Sequence, residues 1–74
     1  MAQTKAVTGV VVDATGEPII GASVLEIGTT NGTITDVDGN FTIQVPVGAK
    51  LEVSYIGYKT QQIVAVSYTH LTLP

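Results

Sequence analysis

The chain has 74 residues, enough for one small domain, and 45% of them are hydrophobic, which is enough for a core and argues against a disordered polypeptide. Six acidic residues outnumber three lysines, there is no arginine, and the net charge is -3. Nucleic-acid binding normally needs a basic patch, and a membrane-spanning helix needs about 18 consecutive apolar residues. The chain has no arginine, and its longest apolar run is far shorter than that. We therefore expect no nucleic-acid partner and no direct membrane insertion. The lack of cysteine excludes disulfide scaffolds, cysteine zinc sites and thiol chemistry.

The first half of the chain is predicted to hold a short tail and three strands. Residues 1–5 are polar and lack the apolar region of an export signal, so no signal peptide is expected in this chain. The valine-rich segment that follows favours a strand because β-branched residues fit the pleated sheet. Gly16 and Pro18 mark the turn after it. The predicted strands occupy residues 6–13, 21–27 and 32–35.

The second half predicts three more strands, at residues 40–45, 50–55 and 58–66. In the first of them Phe41, Ile43 and Val45 alternate with polar residues, which predicts one buried and one solvated face. Leu51, Val53 and Tyr55 alternate in the same way and are expected in the core. Six short strands at intervals of about 8–12 residues, with no helical period, predict an all-β sandwich or small barrel.

Residues 33–41 are the centre of this pattern, because a cluster of turn-forming residues is followed at once by the best strand. The cluster predicts the bend of a β-hairpin. Asp36, Asp38 and Asn40 also match the first three ligands of a calcium loop and are weak metal candidates. The match then fails, because the glycine is at the fourth loop position and the twelfth is not a glutamate. We therefore expect no metal site.

Catalysis has little support in the sequence. The only histidine is His70, which lies in the C-terminal tail that departs from the rest of the pattern. If His70 is set aside, no histidine base is available to a serine nucleophile. Asp36 and Asp38 are neighbours on one turn, where an acidic pair is far more often solvated than catalytic. No glycine-rich phosphate loop is present. We expect a protein that is not an enzyme and that needs no cofactor.

Tyr55 and Tyr58 allow two interpretations. Two aromatic side chains flanking Ile56 and Gly57 can form a sugar-binding platform. The alternative, which we favour, has Tyr55 packed in the core and Tyr58 covering an edge, because aromatic residues supply much of a small core's buried area.

The glycines and turns together spell a family pattern. Its blocks are Gly9-Val-Val-Val-Asp13, Gly16-Glu-Pro-Ile-Ile-Gly-Ala-Ser-Val24, Gly32-Thr-Ile-Thr-Asp36, Asp38-Gly-Asn-Phe41, Pro46-Val-Gly48 and Leu51-Glu-Val-Ser-Tyr-Ile-Gly-Tyr58. The pattern closely resembles the carboxypeptidase D regulatory-like domain, in particular the copy at the N-terminus of SusC/RagA-type TonB-dependent outer-membrane transporters. The resemblance spans residues 6–66, which is the predicted domain.

The resemblance implies a transthyretin-like (prealbumin-like) β-sandwich of about six to seven strands. It also implies structural roles for ten residues: Gly16, Pro18, Gly21, Asp36, Asp38, Gly39, Phe41, Tyr55, Gly57 and Tyr58. Gly16 and Gly39 are expected to adopt positive φ, and Pro18 to fix the exit from the first turn. Gly21 and Ala22 form a small pair, which another backbone is expected to approach closely. Phe41 and Tyr55 are expected to fill the core between the sheets.

The resemblance further implies a cellular context. In the transporters this domain lies in the periplasm, attached to an outer-membrane protein, after a cleaved signal peptide and before the plug and barrel. The implied function is a non-catalytic accessory domain of a nutrient transporter. The implied partners are the plug and barrel, with periplasmic proteins or lipoproteins as further candidates. The alternative is a structural or carbohydrate-binding module of a surface protein or peptidase.

The last eight residues, 67–74, depart from the family pattern. They resemble the translation of a transposon-based sequencing adapter, so we predict a non-native tail. The tail nevertheless alternates Thr69, Leu71 and Leu73 with polar or aromatic residues, which is the pattern of a strand. Without the family's last strand, an edge of the sheet would be exposed, and this tail is able to fill it.

Overall fold

The computed structural model describes residues 4–65 and 68–73 of the chain. Within these ranges the structure is all strand and turn, and seven strands follow one another along the chain. Their bounds are β1 Thr4–Val12, β2 Ser23–Glu26, β3 Gly32–Ile34, β4 Asn40–Pro46, β5 Lys50–Ser54, β6 Gln61–Val64 and β7 Tyr68–Thr72. The all-β prediction is confirmed. The described part of the chain has no helix long and apolar enough to cross a membrane.

The strands form two sheets. One has three strands in the order β4-β1-β7, and the other has four in the order β3-β2-β5-β6. All neighbouring strands are antiparallel except β1 and β7, which run parallel from Thr8 opposite Tyr68 to Val12 opposite Thr72. This arrangement agrees with the sandwich predicted from the strand spacing.

The core lies between the sheets because each long strand presents one apolar face. On β4 the buried residues are Phe41, Ile43 and Val45, while the residues between them are exposed. The other buried apolar side chains are Val7, Val11, Ile19, Ala22, Val24, Leu51, Val53, Ala65 and Leu73. Burying a valine, leucine or phenylalanine contributes about 1.5–3 kcal/mol, so this cluster is the main stabilising feature of the fold.

Several predicted boundaries differ from the structure. The last predicted strand, 58–66, shortens to β6 at Gln61–Val64, because a turn around Gly57 precedes it. The predicted tail at 1–5 begins outside the described residues, but β1 already includes Thr4 and Lys5, which pair with β4. The predicted domain boundary between 66 and 67 also lies outside the described residues.

Candidate functional site

The central turn does not close a β-hairpin, so that prediction is wrong. β3 belongs to the four-stranded sheet and β4 to the three-stranded sheet, so residues 35–39 carry the chain from one sheet to the other. Short turns usually connect paired strands, but β3 here pairs only with β2 among the described strands. The turn is therefore a connection between the two layers of the sandwich.

A carboxylate holds this turn closed. Asp36 Oδ1 accepts hydrogen bonds from the backbone N–H groups of Asp38 and Asn40, both at 2.9 Å. The backbone N–H of Gly39 donates to the carbonyl of Asp36, and that of Asp36 donates to the carbonyl of Asn40, also at 2.9 Å. An aspartate that bonds its own backbone two residues on is a known way to fix a turn. Asp36 thus has a structural role here.

The metal hypothesis gains no geometric support. One oxygen of Asp36 already accepts two backbone donors, and Asp38 is exposed. Across the described ranges, no group of three or more acidic, histidine or cysteine side chains is placed to hold a metal ion. His70 is exposed on β7, opposite Val10 of β1.

Two buried residues anchor the turn to its surroundings. Gly39 has φ +76°, as predicted, and a Cβ added there would lie 2.5 Å from the carbonyl oxygen of Val11 and 3.1 Å from Cβ of Pro18. Its own carbonyl accepts the N–H of Val11 at 2.8 Å. Only glycine allows the backbones to approach this closely. The turn is consequently fixed against β1.

Thr35 is the second anchor, and the sequence analysis did not single it out. It is 2% exposed. Its hydroxyl donates to the carbonyl of Ile19 at 2.5 Å and accepts the N–H of Ala22 at 2.9 Å. In addition, the backbone N–H of Thr35 donates to the carbonyl of Ala22, and the N–H of Gly21 donates to the carbonyl of Thr35, both at 3.0 Å. A threonine directly before a predicted turn gave no signal, because its partners are 13 and 16 residues away.

A second turn with the same geometry occurs at Asp13–Glu17. Asp13 Oδ1 accepts the N–H groups of Thr15 at 2.8 Å and Glu17 at 3.1 Å, and the Thr15 hydroxyl at 2.6 Å. The hydrogen bond from the Thr15 hydroxyl is the main cause that lowers the pKa of Asp13 below its ordinary value, and backbone N–H donors add to it. Burial has a smaller, opposing effect on this pKa. The repeated pattern, aspartate with glycine three residues later, was the signal available in the sequence.

The remaining turn residues have separate places in the structure. Gly16 adopts φ +87° as predicted. Pro18 lies opposite Val12 in an isolated antiparallel bridge at the exit from the first turn. The backbone of Thr35 approaches Gly21 and Ala22 through hydrogen bonds of 3.0 Å, but a Cβ at Gly21 would meet nothing within 4 Å. Gly21 is instead required for its φ of +78°. Gly57, with φ +87°, turns the chain between β5 and β6.

The two tyrosines exchange their predicted places. Tyr55 is 40% exposed, whereas Tyr58 is half-buried and packs against the core. Tyr55 follows the last residue of β5, so the alternation that buries Leu51 and Val53 no longer applies to it. The two rings contact each other with centroids 6.1 Å apart and planes tilted by 40°. Tyr55 lines a shallow open groove together with Gly21, Ser23, Ser54 and Ile56.

These features define a class of protein: a small β-sandwich in which two aspartate-closed turns shape the backbone. The family model of the CarboxypepD_reg-like domain matches residues 7–73, and the chain belongs to this family.

Two curated relatives are TonB-dependent receptors. The chain is 47% identical over 72 residues, 97% of its length, to the TonB-dependent receptor SusC of Bacteroides thetaiotaomicron. It is also 47% identical over 58 residues, 77% of its length, to a TonB-dependent receptor of Formosa agariphila. The chain spans only 7% and 6% of these two relatives.

Solved structures with the same fold include chains of two type II cohesin–X-dockerin complexes from Acetivibrio cellulolyticus. The C-terminal interface mutant matches with a TM-score of 0.68 and 26% identity over 92% of this chain and 52% of that chain. The N-terminal interface mutant matches with a TM-score of 0.69 and 27% identity over the same shares.

Proposed function

We propose that this chain is a non-catalytic accessory domain of a SusC/RagA-type TonB-dependent outer-membrane transporter, and that it lies in the periplasm before the plug and barrel. The observation that carries the proposal is the 47% identity to SusC over 97% of the chain. The domain acts as a folded spacer or docking module. Its partners are the plug and barrel of the same receptor, together with periplasmic proteins or lipoproteins that contact it.

The site chemistry is compatible with this role. The carboxylates of Asp13 and Asp36 accept hydrogen bonds from the backbone of their own turns. Such bonds fix the shape of the backbone.

The test is a domain exchange in SusC of Bacteroides thetaiotaomicron. Residues 4–73 of this chain replace the matching segment of the receptor, and uptake of the SusC substrate is measured beside the wild type and a deletion of the segment. We expect the exchanged receptor to retain uptake within about twofold and the deletion to lose it. A receptor in which an unrelated β-sandwich of equal length replaces the segment distinguishes a spacer from a docking module. It is expected to restore uptake only if the domain is a spacer. Failure of the exchanged receptor at normal abundance contradicts the proposal.

Localisation is tested with a single introduced cysteine, because the chain has none of its own. Thr42 is exposed on β4 and is a suitable position for Thr42→Cys. In a cysteine-free receptor, a membrane-impermeant maleimide is expected to label this position only after the outer membrane is permeabilised. Labelling of intact cells contradicts a periplasmic position.

One observation favours a second candidate, a carbohydrate-binding module of a surface protein or peptidase. Tyr55 is 40% exposed beside a groove that also contains Ser23 and Ser54, and aromatic faces with nearby hydroxyls suit sugars. Calorimetric titration with soluble glycans tests this candidate. It requires a binding heat that Tyr55→Ala abolishes and that Val37→Ala, at another exposed position, leaves unchanged.

A further inference from the structure

The edge of β1 that faces away from β4 is covered by β7. The two strands run parallel over five residue pairs, and no other described strand pairs with β7. The ladder continues one residue further, where the N–H of Leu73 donates to the carbonyl of Val12 at 2.9 Å. The β1 edge therefore acts as a groove that holds one extended segment by its backbone.

Two leucines anchor that segment. Leu73 is 0% exposed and belongs to the core, and Leu71 is half-buried against it. His70 and Thr72, which alternate with them, are exposed. Backbone pairing with pockets for alternate side chains is how sheet edges recognise extended peptides. The described contacts thus require an apolar residue at two positions and leave the intervening ones free.

We propose that the β1 edge is a strand-binding groove that also accepts, in trans, an extended peptide parallel to β1 with leucine at the positions of Leu71 and Leu73. In this chain β7 occupies the groove. The groove recognises an extended backbone and the two apolar side chains, Leu71 and Leu73.

We expect release of β7 to be a local event, because β1 is the one described strand that pairs with it. Opening β7 breaks its pairing with β1 and uncovers Leu73, and no strand of the four-stranded sheet β3-β2-β5-β6 is hydrogen-bonded to β7. The N–H of Ala65 donates to the carbonyl of Ala49 at 2.7 Å, which fixes the chain just before the connection to β7. Elements with few partners open at lower free energy than core strands. In cis, β7 has the advantage of a high effective concentration, which a free peptide must overcome.

The experiment removes that advantage without asking the chain to fold without β7. A protease site is inserted after Ala65, the folded protein is cut, and fluorescent peptide 68–74 is added in excess. Anisotropy is expected to rise as the labelled peptide replaces the cut strand. The Leu73→Asp peptide is expected to bind on the order of a hundredfold more weakly, because it loses a buried leucine. The His70→Asp peptide, altered at an exposed position, is the matched control and is expected to bind as the wild type does.

A second arm uses the uncut chain carrying Leu73→Asp, in which we expect β7 to leave the edge of β1 because Leu73 is buried in the core. This variant is expected to bind the wild-type peptide at concentrations where the uncut wild-type chain does not. Failure of the cut chain to take up peptide overturns the proposal, as does equal uptake of the Leu73→Asp peptide. A dimer of the cut chain that saturating peptide does not dissociate overturns it as well, because the groove would then be reserved for a second copy.

Discussion

The two aspartate-closed turns, Asp13–Glu17 and Asp36–Asn40, share one local geometry and differ in everything around it. In both, one carboxylate oxygen accepts the N–H groups two and four residues on. In both, the N–H of the fourth residue, a glycine, donates to the aspartate carbonyl, at 3.0 Å and 2.9 Å. The same five-residue pattern therefore produces the same turn twice.

The second turn, Asp36–Asn40, makes tertiary contacts that the first turn lacks. A Cβ at Gly16 would meet nothing within 4 Å, whereas one at Gly39 would collide with the carbonyl of Val11. Buried Thr35 enters the second turn and ties it to residues 19–22, on a segment that follows the first turn. Local hydrogen bonds thus fix the shape of each turn, while packing decides how strongly the rest of the fold depends on that turn.

The largest expected difference is between alanine substitutions of the two glycines. Gly39→Ala is expected to lower the free energy of unfolding by about 3 kcal/mol or more, because it combines positive φ with a backbone collision. Gly16→Ala is expected to cost about 1 kcal/mol, because only the conformational penalty applies. Urea denaturation followed by circular dichroism measures both. Equal losses would show that the approach of Gly39 to Val11 is unimportant.

Thr35→Val sharpens the comparison at the entry to the second turn. The valine leaves the carbonyl of Ile19 and the N–H of Ala22 without their hydroxyl partner, and such buried polar groups cost about 1–3 kcal/mol. Thr42→Val, at an exposed position of β4, is the matched control and is expected to be nearly neutral. The denaturation midpoints of the two variants provide the measurement. A neutral Thr35→Val would mean that water replaces the lost hydroxyl.

Removing the carboxylates tests the geometry that the turns share. Asp36→Ala is expected to destabilise the protein by about 1 kcal/mol through the loss of two backbone hydrogen bonds. Asp13→Ala removes a similar set of bonds from a turn with fewer tertiary contacts, so a smaller shift of the urea midpoint is expected. Asp36→Asn keeps an acceptor oxygen and is expected to retain most of the stability. A larger effect at Asp13 would reverse the proposed ranking.

The smallest expected effect is a dependence on acid. The pKa of Asp13 is lowered in the folded state, so its contribution to stability is present above the ordinary value of 3.8 and is lost as the pH falls through the folded-state pKa. Solvent screening at the surface keeps this contribution small. Thr15→Val removes the main stabilising hydroxyl and is expected to move the pKa of Asp13 upward. Carboxyl NMR titration of both proteins measures the shift, and an unchanged pKa would contradict the role of Thr15.

Much of the fold was predictable because burial and turn chemistry leave local marks. The alternation of Phe41, Ile43 and Val45 identified both a strand and its buried face. Positive φ at Gly16 and Gly39 followed from glycine in a cluster of turn formers. The aspartate–glycine pattern at 13–16 was equally readable, since its hydrogen bonds are all local.

Two errors, the hairpin prediction and the omission of Thr35, concern partners that are distant in the sequence. The hairpin prediction assumed that strands on either side of a short turn pair with each other, but β3 pairs with β2 and β4 with β1. Tyr55 was assigned to the core by extending the alternation of β5 one step beyond its last residue. Thr35 carried no local mark, because both of its partners lie in the segment 19–22.

By itself, the sequence determined that this is a small all-β domain of the CarboxypepD_reg-like family with glycine- and aspartate-shaped turns. Those features depend on side chains and backbone within a few residues of each other, where composition and spacing act directly. Only the tertiary structure decided which sheet each strand joins, why Gly39 is sterically required, and that the edge filled by β7 is that of β1. These depend on which distant surfaces bury each other, and no local pattern encodes that choice.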